Sequence, residues 1–218
     1  MSFADALRQR TSDLHAEAEK SGIVLDIVRR RVTRYGYALY LRNLLPAYQQ
    51  LERCLALQRD QPALQGIARP ELFRAGTLEA DLQTLWGTGW DRHLPVLASG
   101  SRYADRIAHA GKGDGSPLIA HAYTRYLGDL NGGQMLSRIL ARSLGIDARA
   151  LSYHEYPDIA DVAGFVTQYR AALDRAGDAL RNAGEVLDEA ELAFRLNIDL
   201  SLEVQHAAAQ YVDATPSA

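Results

Sequence analysis

The stretch HAYTRYLGDLNGGQ, residues 121–134, places three glycines within six positions of one predicted helix. That helix is predicted over residues 117–144, with Gly145 ending it. A glycine inside a helix costs ~1 kcal/mol relative to alanine, so three of them require a reason.

Two explanations fit the residues alone. The helix could end at Gly128 or Gly132, with a new helix beginning at Met135, but a helix end accounts for one glycine better than for three. Alternatively, the helix is bent and brings bare backbone against a flat ligand, because a missing Cβ permits a close approach. The second explanation predicts a planar cofactor on the glycine face.

Apolar residues recur at helical spacing along the rest of the chain, and no segment alternates with the period of a strand. The chain is therefore predicted to be all-α, with one domain over residues 1–213 and a short flexible tail over residues 214–218. Pro46 predicts a kink in the second helix. The predicted helices cover residues 2–20, 33–59, 71–85, 95–110, 117–144, 161–182 and 188–212.

Composition excludes several classes of protein. The 218 residues carry a net charge of -3 and a single cysteine, which excludes a disulfide scaffold and a zinc finger. The first eight residues are too charged for a signal peptide, and no apolar run approaches the ~18 residues of a membrane span. We therefore expect a cytoplasmic protein with no nucleic-acid partner and no membrane partner.

The stretch 121–134 resembles the distal-helix signature of the heme oxygenases. Two further segments resemble landmarks of that family in the same order, Leu14–Glu19 (LHAEAE) and Phe194–Ile198 (FRLNI). The resemblance implies a multi-helix bundle with heme b, both cofactor and substrate, sandwiched between a proximal helix and a kinked, glycine-rich distal helix. It also implies iron, dioxygen as co-substrate, and cleavage of the ring, expected at the α-meso carbon, to biliverdin, carbon monoxide and ferrous iron.

The resemblance also assigns roles to individual residues. His15 is the expected axial ligand of the iron, and Glu19, one helical turn later, is expected to accept a hydrogen bond from its second ring nitrogen. Asp129 is expected to deliver protons through ordered water. The other expected site residues are Tyr48, Arg125 and Asn197 in the proton network, Gly128 and Gly132 on the distal face of the heme, Gly133 as a source of flexibility, and Phe194 at the heme edge.

The heme propionates need cations or hydroxyl groups at the pocket mouth. The resemblance assigns this work to Arg8, Tyr123, Tyr169 and Arg170. The sequence departs from the family at Val166, where some members carry a propionate-binding lysine. Propionate anchoring is therefore expected to rest on fewer cations.

No flavin or nicotinamide motif lies in the chain, so an external electron donor, a ferredoxin or a flavoprotein reductase, is expected. The protein is also expected to be a monomer. One alternative is a heme carrier or sensor that keeps the fold without turnover. Another is a ferritin-like di-iron bundle, which requires two Glu-x-x-His motifs, whereas only Glu203–His206 supplies one.

Overall fold

The computed structural model describes residues 1–211, and this range contains helices and turns but no strand. The all-α prediction is confirmed, while the predicted tail 214–218 lies outside the described residues. The ten α-helices of this range are α1 (Phe3–Ala18), α2 (Gly22–Val28), α3 (Arg34–Leu57), α4 (Ala75–Trp86), α5 (Trp90–His93), α6 (Ala98–Ala110), α7 (Leu118–Ala122), α8 (Gly128–Leu144), α9 (Val162–Ala179) and α10 (Ala183–Ala209). None of them is long and apolar enough to cross a membrane.

Two helix starts differ from the prediction because side chains fix them. The helix predicted from residue 71 begins at Ala75, since the carboxylate of Glu52 on α3 accepts the backbone amide of Ala75. The break predicted at residues 183–184 lies at residues 180–182 instead. Oδ1 of Asn182 accepts the amide of Gly184 at 3.1 Å, so α10 begins at Ala183. The short helices α2 and α5 were not predicted.

The centre of the bundle is α3, whose buried face includes Tyr37, Leu41, Leu44, Tyr48 and Leu51. This face packs against α4, α6 and α10. Helix α10 also contacts α1, α2 and α7, and so it supports both walls of the cleft that separates α1 from the distal helix. The backbone remains helical through Pro46.

The distal region is helical from Leu118 to Leu144, and its α-helical hydrogen-bond pattern is interrupted once. Residues Tyr123–Leu127 form a π-helical turn between α7 and α8. Helical backbone continues through all three glycines, so the alternative in which a new helix begins at Met135 is wrong. A π turn is an established cause of helix kinks and is frequent at functional sites. The irregularity therefore lies directly before Gly128.

Candidate functional site

A cleft opens between α1 and the distal helix. Helix α1 contributes Arg8, Thr11, Ser12 and His15, which share one helical face. The opposite wall consists of Tyr123, Thr124, Leu127, Gly128 and Asn131. Arg170 from α9 and Phe194 from α10 complete the lining. The cleft is thus lined by an imidazole, an aromatic ring and two arginines, together with the backbone of Gly128.

His15 occupies the α1 wall, and its side chain is 53% exposed. The ring of Phe194 lies 5.9 Å away, centroid to centroid. Glu19 follows on the same face, but its Oε1 is 3.7 Å from Nδ1 of His15, longer than a hydrogen bond. The expected hydrogen bond between Glu19 and His15 is therefore not formed in this structure.

The three glycines have different environments. A Cβ at Gly128 would point into open space with no atom within 4 Å, on the cleft wall. A Cβ at Gly132 would also be free, but Gly132 does not line the cleft. Gly133 is buried and faces His154, whose Nδ1 would lie 3.5 Å from such a Cβ. Only Gly128 presents bare backbone to the cleft.

Next to this wall lies a cluster of polar side chains, centred on Asp129. The hydroxyl of Tyr48 donates to Oδ2 of Asp129, and that of Tyr153 donates to Oδ1 at 2.8 Å. Arg125 donates through Nε to the Tyr48 hydroxyl at 2.9 Å and through Nη2 to the Tyr153 hydroxyl at 2.9 Å. Its Nη1 donates to Oδ1 of Asn197. The structure therefore brings together Tyr48, Arg125, Asp129 and Asn197, as the sequence predicts.

Burial controls the protonation of this cluster. The Asp129 side chain is 11% exposed, and burial raises the pKa of its carboxyl group, while Arg125 and the two tyrosine hydroxyls oppose the rise. Burial also raises the pKa of Tyr48 and of Tyr153 well above the usual value. Both phenols therefore stay protonated at neutral pH and remain donors. Such a cluster can hold and exchange a proton at Asp129.

The expected propionate ligands are only partly assembled. Arg8, Tyr123 and Arg170 line the cleft. Tyr169 does not, because its side chain is buried and its hydroxyl donates to the carbonyl of Ile67 at 3.4 Å. Two arginines remain as the cations of the cleft mouth.

Sequence reasoning missed several residues of the site. Thr11 and Ser12 precede His15 by one helical turn, so helical spacing alone could have found them. Tyr153 gave no such signal, because it lies in a short 3₁₀ turn, Ser152–His154, within a connection that has no periodicity.

The donor set fits heme and does not fit a di-iron centre. The cleft offers an imidazole nitrogen as a ligand, a face without side chains, an aromatic edge and two cations for carboxylates. Within residues 1–211, no three His, Cys, Asp or Glu side chains converge in a way that could hold a metal ion. Glu203 instead accepts the amide of Ser99 at 2.7 Å, and His206 contacts Gln210.

Comparison with known proteins agrees with this geometry. The family model described as "Heme oxygenase" matches residues 1–203. Heme oxygenase 1 of Synechocystis is 33% identical over 205 residues, covering 94% of this chain and 85% of that protein. Human heme oxygenase 1 is 33% identical over 206 residues, covering 93% and 72%.

Solved structures give the same result. The crystal structure of Synechocystis heme oxygenase-1 in complex with heme superposes with a TM-score of 0.88 at 32% identity, covering 96% of this chain and 95% of that one. Heme oxygenase from Leptospira interrogans has a TM-score of 0.87 at 32% identity, covering 93% and 100%.

Proposed function

The chain belongs to the heme oxygenase family and degrades heme to biliverdin, and we propose that it opens the ring at the α-meso carbon with dioxygen and electrons from a separate donor. Carbon monoxide and ferrous iron are the other products. The observation that carries the proposal is the position of His15, which faces Gly128 across a cleft bordered by the Asp129 cluster.

Bound heme supplies the iron that activates dioxygen and the porphyrin carbon that is oxidised. His15 would hold the iron from the α1 side through a ring nitrogen. Arg8, Arg170 and Tyr123 would bind the propionates at the cleft mouth, and Phe194 would pack on the heme edge. The absence of a side chain at Gly128 leaves room on the opposite face.

Asp129 is the proton-holding group of this proposal. Its two oxygens accept from Tyr48 and Tyr153, so the carboxylate is held in one orientation. Arg125 in turn fixes both hydroxyls, and Asn197 fixes Arg125. A network in which the members polarise one another can pass a proton through ordered water to the distal side of the heme. A carrier or sensor has no use for such a cluster, which favours turnover over storage.

We further propose that the chain acts as a cytoplasmic monomer supplied by a ferredoxin or a flavoprotein reductase. The chain contains no motif for a flavin or a nicotinamide, so electrons have to come from another protein. Reconstitution with either donor, with the rate of biliverdin formation as readout, distinguishes the two.

Isomer analysis of the product tests the position of cleavage. The purified protein is loaded with one equivalent of hemin and supplied with a reductase under air, and the biliverdin is separated by chromatography against the four isomer standards. The α isomer alone is expected. The β or δ isomer would overturn the α assignment, and the absence of biliverdin under a verified electron supply would overturn the enzymatic proposal.

A further inference from the structure

Asp81 is a fully buried carboxylate on α4 that bonds to a single short segment of the chain. Its Oδ1 accepts the backbone amide of Ser152 at 3.0 Å and the hydroxyl of Ser152 at 2.6 Å. Its Oδ2 accepts the backbone amide of Tyr153 at 2.9 Å. All three hydrogen bonds therefore anchor residues 152 and 153 to α4.

The anchored segment carries a side chain of the Asp129 cluster. Tyr153 donates to Asp129 at 2.8 Å, accepts from Arg125 at 2.9 Å and lies 2.9 Å from the Tyr48 hydroxyl. Its ring also packs edge-on against that of Tyr48. Tyr153 thus joins two buried carboxylates: its backbone amide donates to Asp81, and its hydroxyl donates to Asp129.

We propose that Asp81 is a positioning residue for Asp129, acting through the backbone of Ser152 and Tyr153. Bonds to a charged acceptor are stronger than neutral ones, so the buried carboxylate holds this turn more firmly than a hydroxyl or an amide would. Without the anchor, the turn is free to shift and the Tyr153 hydroxyl loses its contact with Oδ1. The carboxylate of Asp129 then keeps only the Tyr48 hydroxyl as an orienting phenol. The consequence for catalysis rests on the function proposed above.

The first measurement uses the protein without heme. Asp81→Asn keeps the shape of the side chain but replaces one acceptor oxygen with an NH₂ group. Hydrogen exchange of the Ser152 and Tyr153 amides is expected to accelerate by on the order of tenfold, as when one charge-assisted hydrogen bond is lost. Unchanged exchange at both amides would overturn the anchor.

The second measurement follows the Asp129 carboxyl carbon by NMR, with Asp129→Asn identifying its signal. Loss of a donated hydrogen bond raises the pKa of a carboxyl group, because that bond favours the charged form. An upward shift is therefore expected in Asp81→Asn and in Tyr153→Phe. The double variant is expected to shift no further than Tyr153→Phe alone, since both changes break the same connection.

A control separates positioning from general loss of stability. Asn43 is a buried residue of α3 whose Oδ1 accepts the amide of Leu97 at 2.6 Å, outside the Asp129 cluster. Asn43→Ala is expected to lower the melting temperature while leaving the pKa of Asp129 unchanged. Should Asp81→Asn fold poorly, Ser152→Ala removes only the 2.6 Å bond and is expected to give a smaller shift of the same sign.

Two further results would overturn the proposal. One is an Asp129 pKa that does not move in Asp81→Asn, and the other is a double variant whose shift equals the sum of the single shifts. Because these readouts need no heme, failure of the proposed enzymatic function would leave them intact. Conversely, normal heme turnover with no coupling would overturn only the role of Asp81.

Discussion

The hydroxyl of Tyr48 donates to Oδ2 of Asp129, joining α3 to the first turn of α8 across 81 positions of sequence. The same hydroxyl accepts from Nε of Arg125, which can only donate. The direction of the chain of hydrogen bonds is therefore fixed, from Arg125 through Tyr48 to Asp129. Its end point is the carboxyl group of Asp129, beside the cleft.

Asp129→Asn tests the end of this chain. The amide preserves size but cannot hold an exchangeable acidic proton, so biliverdin formation is expected to fall by on the order of 10²-fold. Heme binding, followed by the Soret band, is expected to be unchanged. Asp91→Asn, a change in an exposed carboxylate, serves as the control. A wild-type rate in Asp129→Asn would contradict the proton-holding role.

His15→Ala tests the iron ligand. Removal of the imidazole is expected to alter the Soret band and abolish turnover, and added imidazole is expected to restore part of both by filling the space. His93→Ala, which removes an exposed histidine outside the cleft, provides the comparison. An unaltered Soret band in His15→Ala would place the ligand elsewhere.

Gly128→Ala is expected to raise the stability of the protein and to lower its heme turnover. A Cβ at this position meets no protein atom, so the helix should gain up to about 1 kcal/mol in stability. The same methyl group enters the cleft, and heme turnover is expected to decrease. Gly76→Ala in α4 also meets no atom and lies outside the cleft, so it is expected to leave turnover unaffected. Equal turnover in the two variants would show that the Gly128 face is not used.

Val166→Lys tests the anchoring of the propionates. Val166 precedes Arg170 by one helical turn on α9, so a lysine there adds a third cation beside the cleft mouth. An exposed ion pair contributes ~0.2–1 kcal/mol, and heme dissociation is expected to slow by up to about fivefold at low salt. Val166→Gln controls for side-chain length. A similar dissociation rate in the lysine and glutamine variants would exclude a contribution from charge.

The stability of the fold is expected to depend on His154. Burial lowers the pKa of this imidazole to about 4, against 6.5 for an exposed histidine. Between these values the unfolded chain binds a proton that the folded chain does not, so the contribution of His154 to stability is complete above pH 6.5 and falls as the pH drops towards 4. The full contribution is about 3 kcal/mol.

Urea unfolding at pH 7.5, 6 and 5 measures this dependence. The difference between the wild type and His154→Gln is expected to fall as the pH drops, and it isolates His154 because His121, whose pKa burial lowers, and Glu52, whose pKa burial raises to about 7, contribute to both curves. If the free energy of unfolding changed equally with pH in the wild type and in His154→Gln, His154 would not titrate in this range.

Local signals predicted most of the fold. The long helices have continuous apolar faces, and side-chain caps such as Ser2, Thr33 and Asp161 accept a backbone amide as their positions in the sequence suggest. The start of α4 could not be predicted in this way, because its amide is capped by Glu52 from another helix. Contacts of this kind exist only after the chain has folded.

The same distinction between local signals and tertiary contacts applies to the candidate site. His15, Gly128 and Asp129 lie in recognisable motifs, and the structure places them at or beside the cleft. Tyr153 lies in an aperiodic connection and joins the cluster only through tertiary contacts. Tyr169 shows the reverse case: its position suggested the cleft mouth, but its hydroxyl bonds to Ile67 in the interior.

The most direct test of heme turnover is an absorption time course of the purified protein with one equivalent of hemin, followed by a verified electron supply under air. We expect a Soret band that forms and then decays as a biliverdin band appears. A Soret band that stays constant while electrons are delivered would contradict this account and identify a carrier or sensor.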